Sequence, residues 1–363
     1  MKRTLWLHPT EDFCFQILDQ RRLPHEIIVR DIHNSAQAVD AIKKMAVRGA
    51  PLIAATAAYG IWLACVEAKK RSYPEKYLNT EFENFKHSRP TAVNLFIALK
   101  RISDVLNTTK NFEEKIKLAL LTAQEIVDED IAICKSIGEH GLEIIKNISG
   151  KKNGDVVNIL THCNAGRLGC IEYGTATAPM YLAHTYGIKI HVWVDETRPR
   201  NQGANLTAWE LLDAGIPHTV IVDNAGGHLM QHGAVDLVIV GTDRTTRTGD
   251  VANKIGTYLK ALAAHDNNIP FYVALPSTTI DWKISDGLKE IPIEERSADE
   301  VKYAEGWNGK KRQSVLLTPK GSNARNFGFD VTPARLVTGL ITERGICAAS
   351  EKGLLSLFFE NKL

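Results

Sequence analysis

Beyond residue 155 the chain alternates short, almost wholly apolar runs with helical stretches. This rhythm constrains the fold more than any other feature. The runs at 156–161, 189–194, 218–222, 235–241 and 270–274 have strand length. The stretches between them, 175–186, 207–214 and 253–264, have helical apolar spacing. Strands that are apolar on both faces and separated by helices imply a parallel sheet covered on both sides. Such a sheet binds its ligand at the carboxyl ends of its strands.

The first part of the chain reads differently. Residues 38–47 form an amphipathic stretch broken by Arg48-Gly49-Ala50-Pro51, and 52–68 resumes as an Ala-rich helix with Pro51 in its first turn. Helices are expected over 92–106 and 112–141, with 69–76 as a charged connector. Lys151-Lys152-Asn153-Gly154 marks a boundary. The chain, 363 residues long, is therefore read as α/β with two domains: a small, mostly helical N-terminal domain over 1–150 and a doubly wound parallel-sheet domain over 151–363, which the family resemblance given below implies is Rossmann-like.

Bulk chemistry narrows the partners. The 44 basic and 42 acidic residues nearly balance, so neither nucleic acid nor an anionic membrane is expected. Six scattered cysteines without a Cys-x-x-Cys pair suit reduced thiols and a cytoplasmic home. The apolar run before His8-Pro9 is too short for a signal peptide. No uninterrupted apolar stretch of about 18 residues is seen, so no membrane span is expected. Neither a Gly-x-Gly-x-x-Gly nor a Walker sequence follows any strand, which argues against a dinucleotide or ATP. His228 and His232 have the spacing of a zinc helix, but the glutamate of that motif and a third ligand are missing, so no metal is expected.

Polar residues collect after the strands. Thr161-His162-Cys163-Asn164-Ala165-Gly166 follows the first run and places Cys163 at a strand end. Position alone favours a buried structural cysteine over a catalytic one. After the second run, Asp195 and Glu196 read either as general acid and base or as ion-pair partners of Arg198, the simpler case. Gln202 has an amide suited to sugar hydroxyls. Gly241-Thr242-Asp243-Arg244 puts Asp243 at another strand end, as a functional carboxylate or a turn residue. Asp250 reads as a helix N-cap, with Lys254 near the first turn, where a cation makes sense beside a bound anion. Arg48-Gly49-Ala50, and more weakly Arg89-Pro90-Thr91, sit at helix breaks that suit a phosphate or a plain turn.

Several motifs occur in one order. They are Arg48-Gly49-Ala50-Pro51, Thr161 to Gly166, Glu196-Thr197-Arg198-Pro199, Gln202-Gly203-Ala204, Leu206-Thr207-Ala208-Trp209-Glu210, and Gly249 to Tyr258. Together they resemble the methylthioribose-1-phosphate isomerases, relatives of the regulatory subunits of translation initiation factor 2B, from about residue 40 to residue 345. The resemblance implies an aldose–ketose isomerase of methionine salvage, a homodimer, with no metal or nucleotide cofactor. It implies Cys163 and Asp243 as the catalytic pair, and Arg48, Gly49, Ala50, Arg89, Gln202, Asn253 and Lys254 as substrate-binding residues. Arg200-Asn201, Asn205, Thr175 to Pro179 and Thr242 depart from the usual methylthioribose pattern, and some of these look more like a 5-deoxyribose-1-phosphate branch. Asp243 is expected to need a burial-raised pKa to act as an acid.

Overall fold

The computed structural model describes residues 3–89 and 93–361, so Pro90, Thr91 and Ala92 of the expected Arg89-Pro90-Thr91 turn and 92–106 helix lie outside the described residues. The chain forms two compact units. The first comprises 1–135 and 166–174, and the second 136–165 and 175–363.

The first unit opens with three antiparallel strands, β1 (Leu5–Leu7), β2 (Phe15–Leu18) and β3 (Val29–Ile32), in the order β1-β2-β3. Helices α1 (Ser35–Lys43), α2 (Ala50–Ala68), α3 (Pro74–Ser88), α4 (Val93–Leu106) and α5 (Phe112–Lys151) follow. Asn34 caps α1 by accepting from the Gln37 N–H at 2.9 Å. Pro51 and Pro74 sit in the first turns of α2 and α3. Helix α2 packs against α1, α3 and α4. By length and composition it could cross a membrane, which the sequence reading did not anticipate. In this fold it is the centre of the first core, with 15 of its 19 residues buried.

Helix α3 takes the place of the end of the expected connector. It was hidden because only Leu78, Glu81, Phe85 and Ser88 turn inward. Helix α5 runs past the expected stop at Gly141, and the division between the units falls inside it. Gly141 is not a cap. A Cβ there would meet Pro179 Cγ at 2.3 Å, so the glycine lets a neighbouring helix approach.

The second unit contains β4 (Val157–Thr161), α6 (Ala178–Thr185), β5 (Ile190–Asp195), α7 (Ala208–Asp213), β6 (His218–Ile221), α8 (Ala225–Gln231), β7 (Leu237–Val240), β8 (Arg244–Thr246), β9 (Val251–Lys254), α9 (Thr257–Asp266), β10 (Phe271–Ala274), β11 (Ile280–Asp281), β12 (Tyr303–Trp307), β13 (Arg312–Leu316), β14 (Phe329–Thr332), β15 (Gly339–Thr342) and β16 (Gly345–Cys347). Seven strands make one sheet in the order β16-β15-β10-β7-β4-β5-β6. All neighbours are parallel except β15 and β16. Leu160, Val238, Val240, Phe271, Val273 and Leu340 form part of the core on this sheet. The chain lays β5 and β6 on one side of β4, then crosses to place β7 and β10 on the other. The order therefore reverses between β4 and β7, and the crevice of such a sheet opens above that point.

The expected helix over 253–264 is corrected. Val251–Lys254 is strand β9, antiparallel to β14 and β8 in a small sheet ordered β11-β8-β9-β14. The helix starts only at Thr257, after Gly256 at φ +103°. Pairing with a strand far along the chain overrides the local helical spacing.

Candidate active site

Cys163 follows β4 and Asp243 follows β7, so both stand at the carboxyl ends of the strands flanking the reversal. Cys163 has φ +66°, a left-handed conformation that costs a non-glycine residue about 1–3 kcal/mol. Its surroundings hold it there. Its N–H donates to Thr197 Oγ1 at 2.8 Å, and its carbonyl accepts from Thr207 Oγ1 at 2.7 Å. Its Sγ donates to Gln202 Oε1 at 3.4 Å, which joins two of the expected site residues.

The loop after β5 is held by Asp223. The two carboxylate oxygens accept from the Thr197 and Arg198 N–H groups, both at 2.7 Å. Thr197 and Asn201 also have positive φ, +64° and +52°. Gly203 is required where it is, because a Cβ would lie 1.7 Å from the Asp195 carbonyl oxygen. Asn164 donates to Thr207 Oγ1 at 3.1 Å and to Glu210 Oε1 at 3.0 Å, and Tyr181 donates to Glu210 Oε2 at 2.8 Å. These buried polar groups fix the segment after Cys163 against the start of α7.

Asp243 is bonded through its N–H to Ala252 O at 3.0 Å, which sets it beside β9. The residue is exposed. Asn253, on β9, is buried and donates to Thr257 Oγ1 at 3.0 Å.

Lys254 differs from expectation. It ends β9 instead of starting a helix; its Nζ donates to Gly328 O at 3.1 Å and sits 4.8 Å from the Phe329 ring centre. Helix α9 already has an anion at its N-terminus, since Asp330 accepts from the Gly256 N–H at 2.7 Å and the Tyr258 N–H at 3.2 Å. Burial raises the Asp330 carboxyl, and those two donors oppose the rise. Asp250 does not cap that helix; it accepts from Gly287 N at 3.0 Å and Ala334 N at 2.9 Å.

The Asp195–Glu196 pair does not centre on Arg198, whose guanidinium donates to Pro199 O and Val301 O, both at 2.9 Å. Asp195 instead carries a buried network that the sequence did not reveal. Its Oδ2 lies 2.8 Å from His162 Nδ1 and 3.2 Å from Lys260 Nζ. His162, Asp195 and Asp223 lie close enough to share a metal ion. The Lys260 ammonium already meets Asp195 Oδ2 and the Asp223 carbonyl, so a cation is in place. Burial raises the Glu196 carboxyl, and Asp223 adds to the rise. His228 and His232 have ring centres 4.2 Å apart, with the ring planes tilted by 43°.

Arg48, Gly49, Ala50 and Arg89 belong to the first unit. Gly49 precedes α2 at φ +91°, and a Cβ there would meet Gly169 O at 2.2 Å. Ala50 opens α2, whose N-terminus has no side-chain cap. Arg89 directly follows α3.

Comparison with known proteins gives a consistent set. A family model described as the initiation factor 2 subunit family matches residues 46–349. A relative from Desulfatibacillum aliphaticivorans, named methylthioribose-1-phosphate isomerase, is 56% identical over 98% of this chain and 96% of its own. One of the same name from Desulfosudis oleivorans is 54% identical over 99% of this chain and 98% of its own. Among solved structures, the 5-methylthioribose 1-phosphate isomerase of Pyrococcus horikoshii OT3 is similar with a TM-score of 0.87 and 37% identity, over 99% of this chain and 96% of that one. A translation initiation factor eIF-2B subunit delta from A. fulgidus reaches a TM-score of 0.83 and 37% identity, over 99% and 100%.

Proposed function

The chain belongs to the initiation factor 2 subunit family, and we infer that it is the aldose–ketose isomerase its curated relatives are named for. It converts 5-methylthioribose 1-phosphate to 5-methylthioribulose 1-phosphate in methionine salvage, as an intramolecular oxidoreductase. The observation that carries the reading is the placement of Cys163 and Asp243 at the ends of β4 and β7, across the reversal of strand order.

The chemistry asks for such a pair. The phosphate on C1 blocks a free aldehyde, so the ring must open with phosphate in place. Asp243, as general acid, protonates the ring oxygen while its bond to C1 breaks. A hydrogen then moves from C2 to C1, and the C2 hydroxyl loses its proton to become the ketone. Cys163 serves either as base, taking the C2 proton to give a phosphoenolate, or as the group that stabilises a hydride shift. Gln202, bonded to the thiol, and Asn253 orient hydroxyls, and Lys254 supplies a counter-charge. Arg48, Gly49, Ala50 and Arg89 are assigned to the phosphate; the uncapped start of α2 supports this for the first three. Arg200 does not offer a free cation for a second phosphate, since it pairs with Glu300 at 2.8 Å.

The mostly helical 1–150 and Rossmann-like 151–363 domains, a homodimer and a cytoplasmic location complete the proposal. The last is supported by six cysteines that are all unbridged.

The test compares kcat/KM for substrates carrying methylthio, hydrogen or phosphate at C5. The methylthio sugar is expected to lead. Absence of turnover on all three, with a stable complex to a larger partner, would favour a regulatory subunit. Deuterium at C2 separates the two roles of Cys163. Retention at C1 means a hydride shift, and exchange with solvent means a base.

A further inference from the structure

Resting on the isomerase reading, we propose that His162 is a positioning residue: a clamp that ties together the three segments carrying Cys163, Gln202 and Asn253–Lys254.

The ring is 1% exposed and bonded at both nitrogens. Nδ1 lies 2.8 Å from Asp195 Oδ2, at the end of β5, where the Thr197–Gln202 loop begins. Nε2 lies 2.8 Å from the Ile255 carbonyl, one residue past Lys254. The ring itself adjoins Cys163 at the end of β4.

Lys260 Nζ lies 3.2 Å from the same Asp195 Oδ2, so the ring and the ammonium meet on one carboxylate oxygen. Asp195 Oδ1 has no partner among the described residues, so the two donors on Oδ2 are the only ones found for that carboxylate. The fit is close on the other side as well. A Cβ on Gly256 would lie 3.1 Å from His162 Cε1, and φ there is +103°, so glycine is needed for the chain to pass over the ring.

Two variants test the clamp. His162→Phe keeps the bulk and loses both bonds. His162→Gln retains one donor and can hold one tie. With fold checked by circular dichroism, His162→Phe should lose about 100-fold in kcat/KM for 5-methylthioribose 1-phosphate, as expected when reacting groups are misplaced by about an ångström. His162→Gln should raise KM more than it lowers kcat, because Asn253 and Lys254 loosen while Cys163 stays on its strand. A third readout needs no activity. Amide hydrogen exchange over 197–202 and 253–256 should speed up about 10-fold or more in folded His162→Phe, while exchange in helix α2 stays as in the wild type. Wild-type exchange in those two segments would overturn the clamp, as would wild-type kcat and KM in a folded His162→Phe. If the wild-type chain isomerises none of the sugars, the functional reading fails, while the exchange result still decides the clamp.

Discussion

Helix α2 and the strand-end segment around His162 and Cys163 are both buried, yet they are built on opposite terms. Helix α2 is apolar almost all round, and its backbone satisfies itself. Its neighbours ask only for shape, as where Gly60 leaves room for the Phe85 ring, 2.2 Å from where a Cβ would stand. The strand ends hide His162, Asp195, Glu210 and Lys260, and hold Cys163, Thr197 and Asn201 at positive φ. Each of those features costs free energy locally and is kept by its neighbours' bonds. The first region is built for stability. The second spends some of it on the placement of a few atoms.

That contrast can be broken by mutation. The largest stability effect should come from α2. Ile61→Ala leaves a cavity at a fully buried site and should cost about 2–5 kcal/mol in urea unfolding, with kcat per folded molecule unchanged. A matching loss of kcat would blur the contrast. Thr197→Val should do the reverse. It leaves the buried Cys163 N–H without its acceptor, which costs about 1–3 kcal/mol. Its main effect should be on kcat, read by steady-state assay beside the unfolding curve.

The smallest effect lies on the surface of the second unit. Burial opposes ionisation of Glu300, but Arg296, Arg200 and Asn326 outweigh it and hold its pKa at about 2, below the ordinary 4.5. A lowered folded pKa gives stability that is present above the unfolded value and lost as pH falls towards the folded one. Unfolding of the wild type between pH 4.5 and about 2 should therefore be steeper in pH than that of Glu300→Gln, with no change in turnover at neutral pH.

The same contrast explains what could be read from the sequence. Apolar runs marked β4, β5, β7 and β10, because strands buried on both faces need nothing else. Strand β9 was missed and its last two residues, Asn253 and Lys254, were read as the start of a helix, since its partner β14 lies far along the chain and leaves no local sign. Gly141 looked like the end of α5, because a glycine that admits a neighbour is indistinguishable in sequence from one that caps a helix. In the candidate site, the strand-end positions of Cys163 and Asp243 were legible from the apolar runs before them, while their pairing as acid and base came only from the family resemblance. The His162–Asp195–Lys260 network was not, since Lys260 looks like any helical lysine until the fold brings it to Asp195.

The central claim is that Cys163 and Asp243 carry the reaction. Its most direct test is turnover of 5-methylthioribose 1-phosphate by purified Cys163→Ser and Asp243→Asn, each shown to be folded. The account predicts that each loses about 100- to 10,000-fold in kcat, the range for removal of a positioned acid or base. Wild-type kcat in either variant would contradict it.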